Sequence, residues 1–168
     1  IKYMTKIRSI LSSATFLNED ASGTYRRMTS VEVAEANSSS MVGLCLSSVE
    51  GQMRAAIEYL LCGIPIISTP SLGGRQRYFN SFNSILVDPD PNKIANAIKE
   101  MELRSVAKKD IRNEILSIIN FERRNFLTLL SHFFWERFKI DDIFNDFNVF
   151  GDSLTYRSWD EWETYLLK

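Results

Sequence analysis

The chain has 168 residues, of which 45% are hydrophobic and 24% charged, a composition sufficient for a globular core. Its formal net charge of −1 gives no reason to expect a nucleic-acid partner or an acidic substrate. Two cysteines, Cys45 in an apolar run and Cys62 near a predicted helix end, are typical of reduced thiols in a reducing compartment. No stretch predicts a membrane span or a signal peptide. Because the sequence starts at Ile1, inside a helical pattern, we expect an N-terminally truncated piece of a longer protein.

The first third predicts a helix, a strand and a second helix. Apolar residues recur at helical spacing over residues 1–11. Residues 14–17 have the pattern of a short strand. Thr29 and Glu32 have the spacing of a capping box, which predicts a helix that begins there and extends to Ala36.

Residues 41–70 predict a strand, a turn, a helix and another strand. Residues 41–46 are apolar and uncharged, as is typical of a strand buried on both faces. After a small polar turn, one helical stripe contains Met53, Ala56, Ile57, Leu60 and Leu61. Gly63 predicts the end of this helix, and residues 64–68 begin the next apolar run. This order predicts a βαβ unit and therefore a parallel sheet.

Two glutamates lie in this unit where a ligand would be expected. Glu50 is in the turn after the first strand, and Glu58 is on the helix, roughly 12 Å further along at 1.5 Å per residue. Ligands of open α/β sheets bind beyond the carboxyl ends of the strands, where helix N-termini present amide groups. The pair suits an elongated, hydroxyl-rich ligand. The alternative is that Glu50 only complements the helix dipole and that Glu58 is solvated.

A polar loop after the second strand contains Gly73 and Gly74, which allow close approach of the backbone to a ligand. A flexible turn is the alternative interpretation. Arg75 and Arg77 follow, and either side chain can contact a phosphate or a carboxylate bidentately.

Downstream of this loop, residues 84–87 predict a third strand, and Asp90 followed by a proline predicts a capped helix. Residues 105–168 predict no further strand. They form helical stripes over residues 111–119 and 126–134 and are rich in aromatic residues, so they must pack on the sheet domain, on a missing domain or on another chain. We therefore divide the chain into an α/β domain, residues 1–104, and an α-helical C-terminal extension, residues 105–168.

The order and spacing of these motifs resemble the nucleotide-sugar half of group 1 (family 4) retaining glycosyltransferases. The shared pattern is S-x-x-E-G, E-x7-E, C-G-x-P-x-x-x-T and G-G, and the resemblance covers about residues 29–101. The matching residues are Ser47, Glu50, Gly51, Glu58, Cys62, Gly63, Pro65, Thr69, Gly73 and Gly74. The resemblance implies a Rossmann-like parallel sheet flanked by helices, as in the C-terminal domain of the two-domain GT-B arrangement.

Carried over to this chain, the resemblance makes Glu50 the catalytic residue beside the transferred sugar and assigns Glu58 to the ribose hydroxyls. The other implied donor-binding residues are Ser47, Gly51, Gln52, Met53, Gly73, Gly74 and Arg75. The implied reaction transfers a glycosyl unit from a nucleotide sugar with retention, without a metal or other cofactor, in polysaccharide or cell-surface glycan synthesis. Two departures weaken the donor contacts: Gln52 and Met53 replace an aromatic residue and a second glycine, and the family's basic Arg/Lys pair would precede Ile1.

The acceptor, a glycan or another molecule, would bind to a missing N-terminal domain, so we expect this piece alone to be inactive. We expect the full-length protein in the cytoplasm, with peripheral membrane association and self-association through the aromatic section as open options. A non-catalytic glycosyltransferase-like binding or scaffold module is the alternative function. A third is another α/β nucleotide-sugar enzyme, such as an epimerase that uses a dinucleotide, but the sequence contains no G-x-G-x-x-G motif.

Overall fold

A computed structural model of the protein describes residues 2–17, 19 and 24–138, and these residues form an α/β structure with a parallel sheet flanked by helices. The chain divides into two compact units, Ile1–Ile119 and Asn120–Lys168. The sheet belongs to the first unit. The division falls inside the last described helix. The boundary after residue 104 stays a prediction.

The sheet has three strands in the order β1-β2-β3, and both neighbouring pairs are parallel. The elements in chain order are α1 (Lys2–Ile10), α2 (Ser30–Ser39), β1 (Gly43–Cys45), α3 (Arg54–Leu61), β2 (Ile66–Ser68), the 3₁₀ helix η1 (Arg75–Tyr78), β3 (Ser84–Leu86), α4 (Pro91–Leu103) and α5 (Lys108–Phe138). Leu44 lies opposite Ile67, which in turn lies opposite Ile85. The predicted βαβ unit and the helix-flanked parallel sheet are confirmed.

Adjacent residues of a strand point to opposite faces of the sheet, so the apolar strands present side chains on both faces. Helices pack against each of these faces. Ile66 lies in one core with Leu60 of α3 and Ile111 of α5. Ile67 lies in a second core with Ile94 of α4. All five side chains are fully buried, and each contributes about 1.5–3 kcal/mol through removal from water. This layered packing is compatible with a Rossmann-like fold.

Local capping residues set the ends of three helices as predicted. The Thr29 hydroxyl accepts a hydrogen bond from the Glu32 amide at 3.3 Å, and the Glu32 carboxylate accepts one from the Thr29 amide at 2.8 Å, which completes a capping box for α2. Asp90 accepts hydrogen bonds from the amides of Asn92 and Lys93, the second and third residues of α4, at 2.9 and 3.0 Å. Gly63 follows α3 with a φ of 73°, the left-handed conformation of a helix C′ residue.

The predicted strand at residues 14–17 is wrong, because this segment lies outside the sheet. Ala14 and Phe16 pack against the second core, and the Arg8 guanidinium lies 4.3 Å from the centre of the Phe16 ring. A segment that covers a core with alternate side chains has the same apolar spacing as a strand.

The two helical stripes predicted at residues 111–119 and 126–134 belong to one continuous helix, α5. The part of the extension beyond residue 138 lies outside the described residues. Among the helices that the structure describes, none combines the length and the apolar character needed to cross a membrane.

Candidate functional site

The carboxyl ends of β1 and β2 lead into two loops that pair with each other. We call them the Glu50 loop (residues 46–53) and the Gly73 loop (residues 69–74). Val49 and Leu72 form a parallel bridge between these loops. The Glu50 amide donates to the Leu72 carbonyl, and the Leu72 amide donates to the Ser48 carbonyl, both at 3.0 Å. Parallel pairing thus continues past the strands and places Glu50 beside the glycine pair.

Gly73 is the point of closest approach between the loops. Its φ is 122°, and a Cβ atom at this position would lie 1.7 Å from the carbonyl oxygen of Glu50. A side chain therefore cannot be accommodated at Gly73 while the loops stay paired. A Cβ atom at Gly74 or at Gly51 would meet nothing within 4 Å, so the backbone there is open to a ligand.

Arg75, the first residue of η1, is buried where the two loops leave the sheet, and only 1% of it is exposed. Its Nη1 donates to the Ser47 carbonyl at 3.0 Å, and its Nη2 donates to the Thr69 carbonyl at 2.6 Å. The Nε atom is buried without a hydrogen-bond partner, and no described Asp or Glu forms an ion pair with the guanidinium. Two backbone carbonyls and the sulfur of Met53, 3.9 Å from Nη1, therefore surround a positive charge in the interior, where an uncompensated charge costs several kcal/mol.

The two predicted glutamates are both half-buried. Glu58 is the fifth residue of α3, because this helix begins at Arg54 and not at Gln52 as the apolar stripe suggested. Neither Glu50 nor Glu58 forms a side-chain hydrogen bond or an ion pair with the residues that the structure describes. Ionised carboxylates are acceptors only, so both remain available to the hydroxyl groups of a ligand.

The N-terminus of α3 at the end of the Glu50 loop is suited to an anion. Met53 is its N-cap, and the Met53 side chain makes no capping hydrogen bond. The first turn contains no acidic residue, and the exposed Arg54 occupies the first position. The first amides of a helix lack intrahelical partners, so this end presents donors and positive charge. Gln52, the preceding residue, donates from Nε2 to the Tyr78 hydroxyl of η1 at 2.9 Å.

Two protonated groups border this region. Burial raises the pKa of the Cys45 thiol to about 12; the Arg75 guanidinium opposes this shift, and the Glu50 carboxylate adds to it. Arg75 and Glu50 are therefore both within electrostatic range of the last residue of β1. Burial also raises the pKa of the Tyr59 hydroxyl to about 12, with further contributions from Cys45 and Glu58. Neither group ionises appreciably at neutral pH, so neither is an activated nucleophile.

The structure brings most of the predicted site residues to one edge of the sheet. Those on the paired loops or directly after them are Ser47, Glu50, Gly51, Gln52, Met53, Gly73, Gly74 and Arg75. Glu58 lies one turn into α3, and the Arg75 guanidinium is turned inward to the protein. Sequence reasoning missed the roles of Leu72 and Tyr78. The contacts of Leu72 are made by its backbone, so its residue type gives no signal in the sequence. The hydroxyl of Tyr78 is a polar group that the sequence does show, and it could have indicated a hydrogen-bond partner.

A cavity of about 370 Å³ lies at the end of β3, apart from these residues. It is lined by Leu86, Val87, Asp88, Lys93, Asn96, Ala97 and Glu100. The described residues contain no group of three or more His, Cys, Asp or Glu side chains that could hold a metal ion.

Comparisons with protein-family models, with curated proteins and with solved structures find no match for this chain.

Proposed function

We propose that this chain is the donor-binding portion of a retaining glycosyltransferase, corresponding to the C-terminal domain of a GT-B enzyme. The observation that carries the proposal is the pairing of the Glu50 loop with the Gly73 loop, next to the uncapped N-terminus of α3. The S-x-x-E-G and G-G motifs of the resemblance lie in these two loops, whereas Cys62 and Gly63 of the C-G-x-P motif follow the other end of α3. The shared location of Glu50 and the glycine pair at one edge of the sheet supports the proposal of a single donor site.

The diphosphate of the donor binds at the N-terminus of α3. The amides of Arg54 and Ala55 donate to phosphate oxygens, since that of Ala56 already donates to the Met53 carbonyl at 3.1 Å. The Arg54 side chain adds a positive charge at the same end. Hydrogen bonds to a charged group contribute about 1.5–3 kcal/mol each. Gly51 and Gly74 leave the neighbouring backbone open, so a ligand can approach it without meeting a side chain.

The carboxylates of Glu50 and Glu58, which have no side-chain partner among the described residues, bind the hydroxyl-bearing parts of the donor. Glu58 accepts hydrogen bonds from the two ribose hydroxyls, and Glu50 accepts them from the sugar that is transferred. Transfer with retention then depends on the position of the anomeric carbon and on stabilisation of an oxocarbenium-like transition state and of the leaving diphosphate. The acceptor, a glycan or a related molecule, binds to another domain of the full-length protein.

Calorimetric titration of the chain with nucleoside diphosphates and nucleotide sugars of several bases tests the proposal. Glu58→Gln weakens binding of both ligand classes by about tenfold or more, because it removes a charge-assisted contact to the ribose. Glu50→Gln weakens binding of the nucleotide sugar but leaves that of the nucleoside diphosphate unchanged. Glu102→Gln, an exposed position on α4, is the matched control. Absence of binding by the unmodified chain, or an equal effect of all three substitutions, contradicts the proposal.

A non-catalytic binding or scaffold module is the second candidate, and the surface of the second unit favours it. Within the described part of that unit, large exposed apolar side chains are Phe121, Phe126, Leu129, Phe133 and Trp135. Apolar surface of this kind marks interaction sites. Light scattering and nucleotide titration distinguish this candidate from the first. The scaffold module predicts a molar mass that rises with protein concentration, a return to the monomer value in Leu129→Glu, and no nucleotide binding.

A further inference from the structure

We infer that Arg75 is a positioning residue: its guanidinium joins the Glu50 loop to the Gly73 loop from inside the protein and thereby fixes the position of Glu50. That Glu50 faces a donor sugar in this position rests on the proposed function. The joining of the loops does not.

The contacts of the guanidinium reach both loops and the start of α3. One nitrogen donates to the carbonyl of Ser47 and the other to the carbonyl of Thr69. The first of these nitrogens also lies 3.9 Å from the sulfur of Met53, the N-cap of α3. The planar fork of an arginine presents its donors at a fixed separation, so the two carbonyls are held at a fixed distance.

The pairing between the loops lies just beyond these contacts. Ser47 precedes Glu50 by three residues, and Thr69 precedes Leu72 by three. The hydrogen bond from the Glu50 amide to the Leu72 carbonyl, at 3.0 Å, therefore lies three residues beyond the two carbonyls that Arg75 binds. Loss of the guanidinium frees both loops at their origins and removes the constraint on Glu50.

Burial distinguishes this role from a ligand contact and from simple packing. Arg75 is 1% exposed and uses two of its three nitrogens on backbone carbonyls, so it has no surface to offer a ligand. As a space-filling residue it would be costly, because a buried charge without a carboxylate partner is less favourable than an apolar side chain of similar volume. Its contribution comes from the two carbonyls that it holds.

Amide hydrogen exchange of the full chain without ligand, followed by NMR, tests this role. In Arg75→Met, the amides of Glu50 and Leu72 exchange at least about tenfold faster than in the unmodified chain, whereas the sheet amide of Ile66 keeps its rate. Arg75→Lys, which keeps the charge and reaches one carbonyl, gives an intermediate increase. Gln76→Met, an exposed position of the same 3₁₀ helix, leaves all three rates unchanged.

Unchanged exchange at Glu50 and Leu72 in Arg75→Met overturns the inference. An equal acceleration at Ile66 also overturns it, because Arg75 would then stabilise the domain as a whole. If Arg75→Met does not fold, the same comparison of amides in Arg75→Lys decides between these outcomes. A failure of the unmodified chain to bind nucleotides, with the exchange pattern as expected, contradicts the donor site and leaves the role of Arg75 intact.

Discussion

Gly73→Ala places a methyl group where the carbonyl oxygen of Glu50 lies, at a Cβ–O distance of 1.7 Å. No relaxation of a side chain relieves this contact, because the facing atom belongs to the backbone. The loops must separate, and the two hydrogen bonds of the Val49–Leu72 bridge are lost at about 1 kcal/mol each. Strain at a φ of 122° adds about 1–3 kcal/mol wherever that conformation persists. We expect the free energy of unfolding to fall by about 2 kcal/mol if the strained conformation relaxes and by up to about 5 kcal/mol if it persists.

Urea denaturation of Gly73→Ala and Gly74→Ala, measured side by side, checks this expectation. Gly74 is the adjacent residue, with a φ of −90°, and a Cβ atom there would meet no atom within 4 Å. Alanine at Gly74 therefore changes the free energy of unfolding by at most about 0.5 kcal/mol. Gly73→Ala also weakens nucleotide-sugar binding, because Glu50 moves with its loop. Equal stability of the two variants refutes the reasoning that the loops are tightly paired at Gly73.

Three further predictions concern single groups. Burial raises the pKa of the Cys45 thiol from 9.0 to about 12, so at neutral pH this thiol reacts with iodoacetamide roughly a thousandfold more slowly than a free thiol. Mass spectrometry of the alkylated protein measures the rate. Modification of Cys45 as fast as that of the half-buried Cys62 contradicts this prediction. Asp90→Ala removes the N-cap of α4 and lowers the free energy of unfolding by about 1 kcal/mol in urea, and an unchanged value means that the two capping bonds contribute nothing. Hydrogen bonds from the Thr29 amide and hydroxyl, with a smaller effect of Arg26, hold the pKa of Glu32 below its ordinary value of 4.5. The Glu32 carboxylate therefore contributes to stability above about pH 4.5, and this contribution is lost as the pH falls through the folded-state pKa. The free energies of unfolding of Glu32→Gln and of the unmodified chain converge in acid. A difference between these two free energies that is the same at pH 7 and at pH 3 contradicts this.

The features of the fold that were predictable from the sequence depend on contacts between near neighbours. Thr29 and Asp90 bind amides two or three residues away, and Gly63 supplies a conformation that other residues rarely adopt. Their residue types therefore carry the signal directly. The shared location of Glu50 and Gly73 was also predictable, because the carboxyl ends of parallel strands meet at one edge of the sheet.

The role of Arg75 was not predictable in the same way. Its partners are carbonyl groups 28 and 6 residues away, and every residue type has a carbonyl group. An arginine after two glycines suggested an exposed ligand contact, and nothing in the neighbouring residues indicates that its side chain is buried. The bridge at Leu72 was missed for the same reason, since its contacts are made by the backbone.

The most direct measurement of the central claim is an NMR titration of the isotopically labelled chain with a nucleoside diphosphate. The proposed donor site predicts that amide signals shift for the Glu50 loop, for Gly73 and Gly74, and for the first turn of α3 from Arg54. Signals of residues that line the separate cavity, such as Asp88 and Lys93, keep their positions. Shifts confined to that cavity, or no shifts at saturating nucleotide, would contradict the assignment of the paired loops as a donor site.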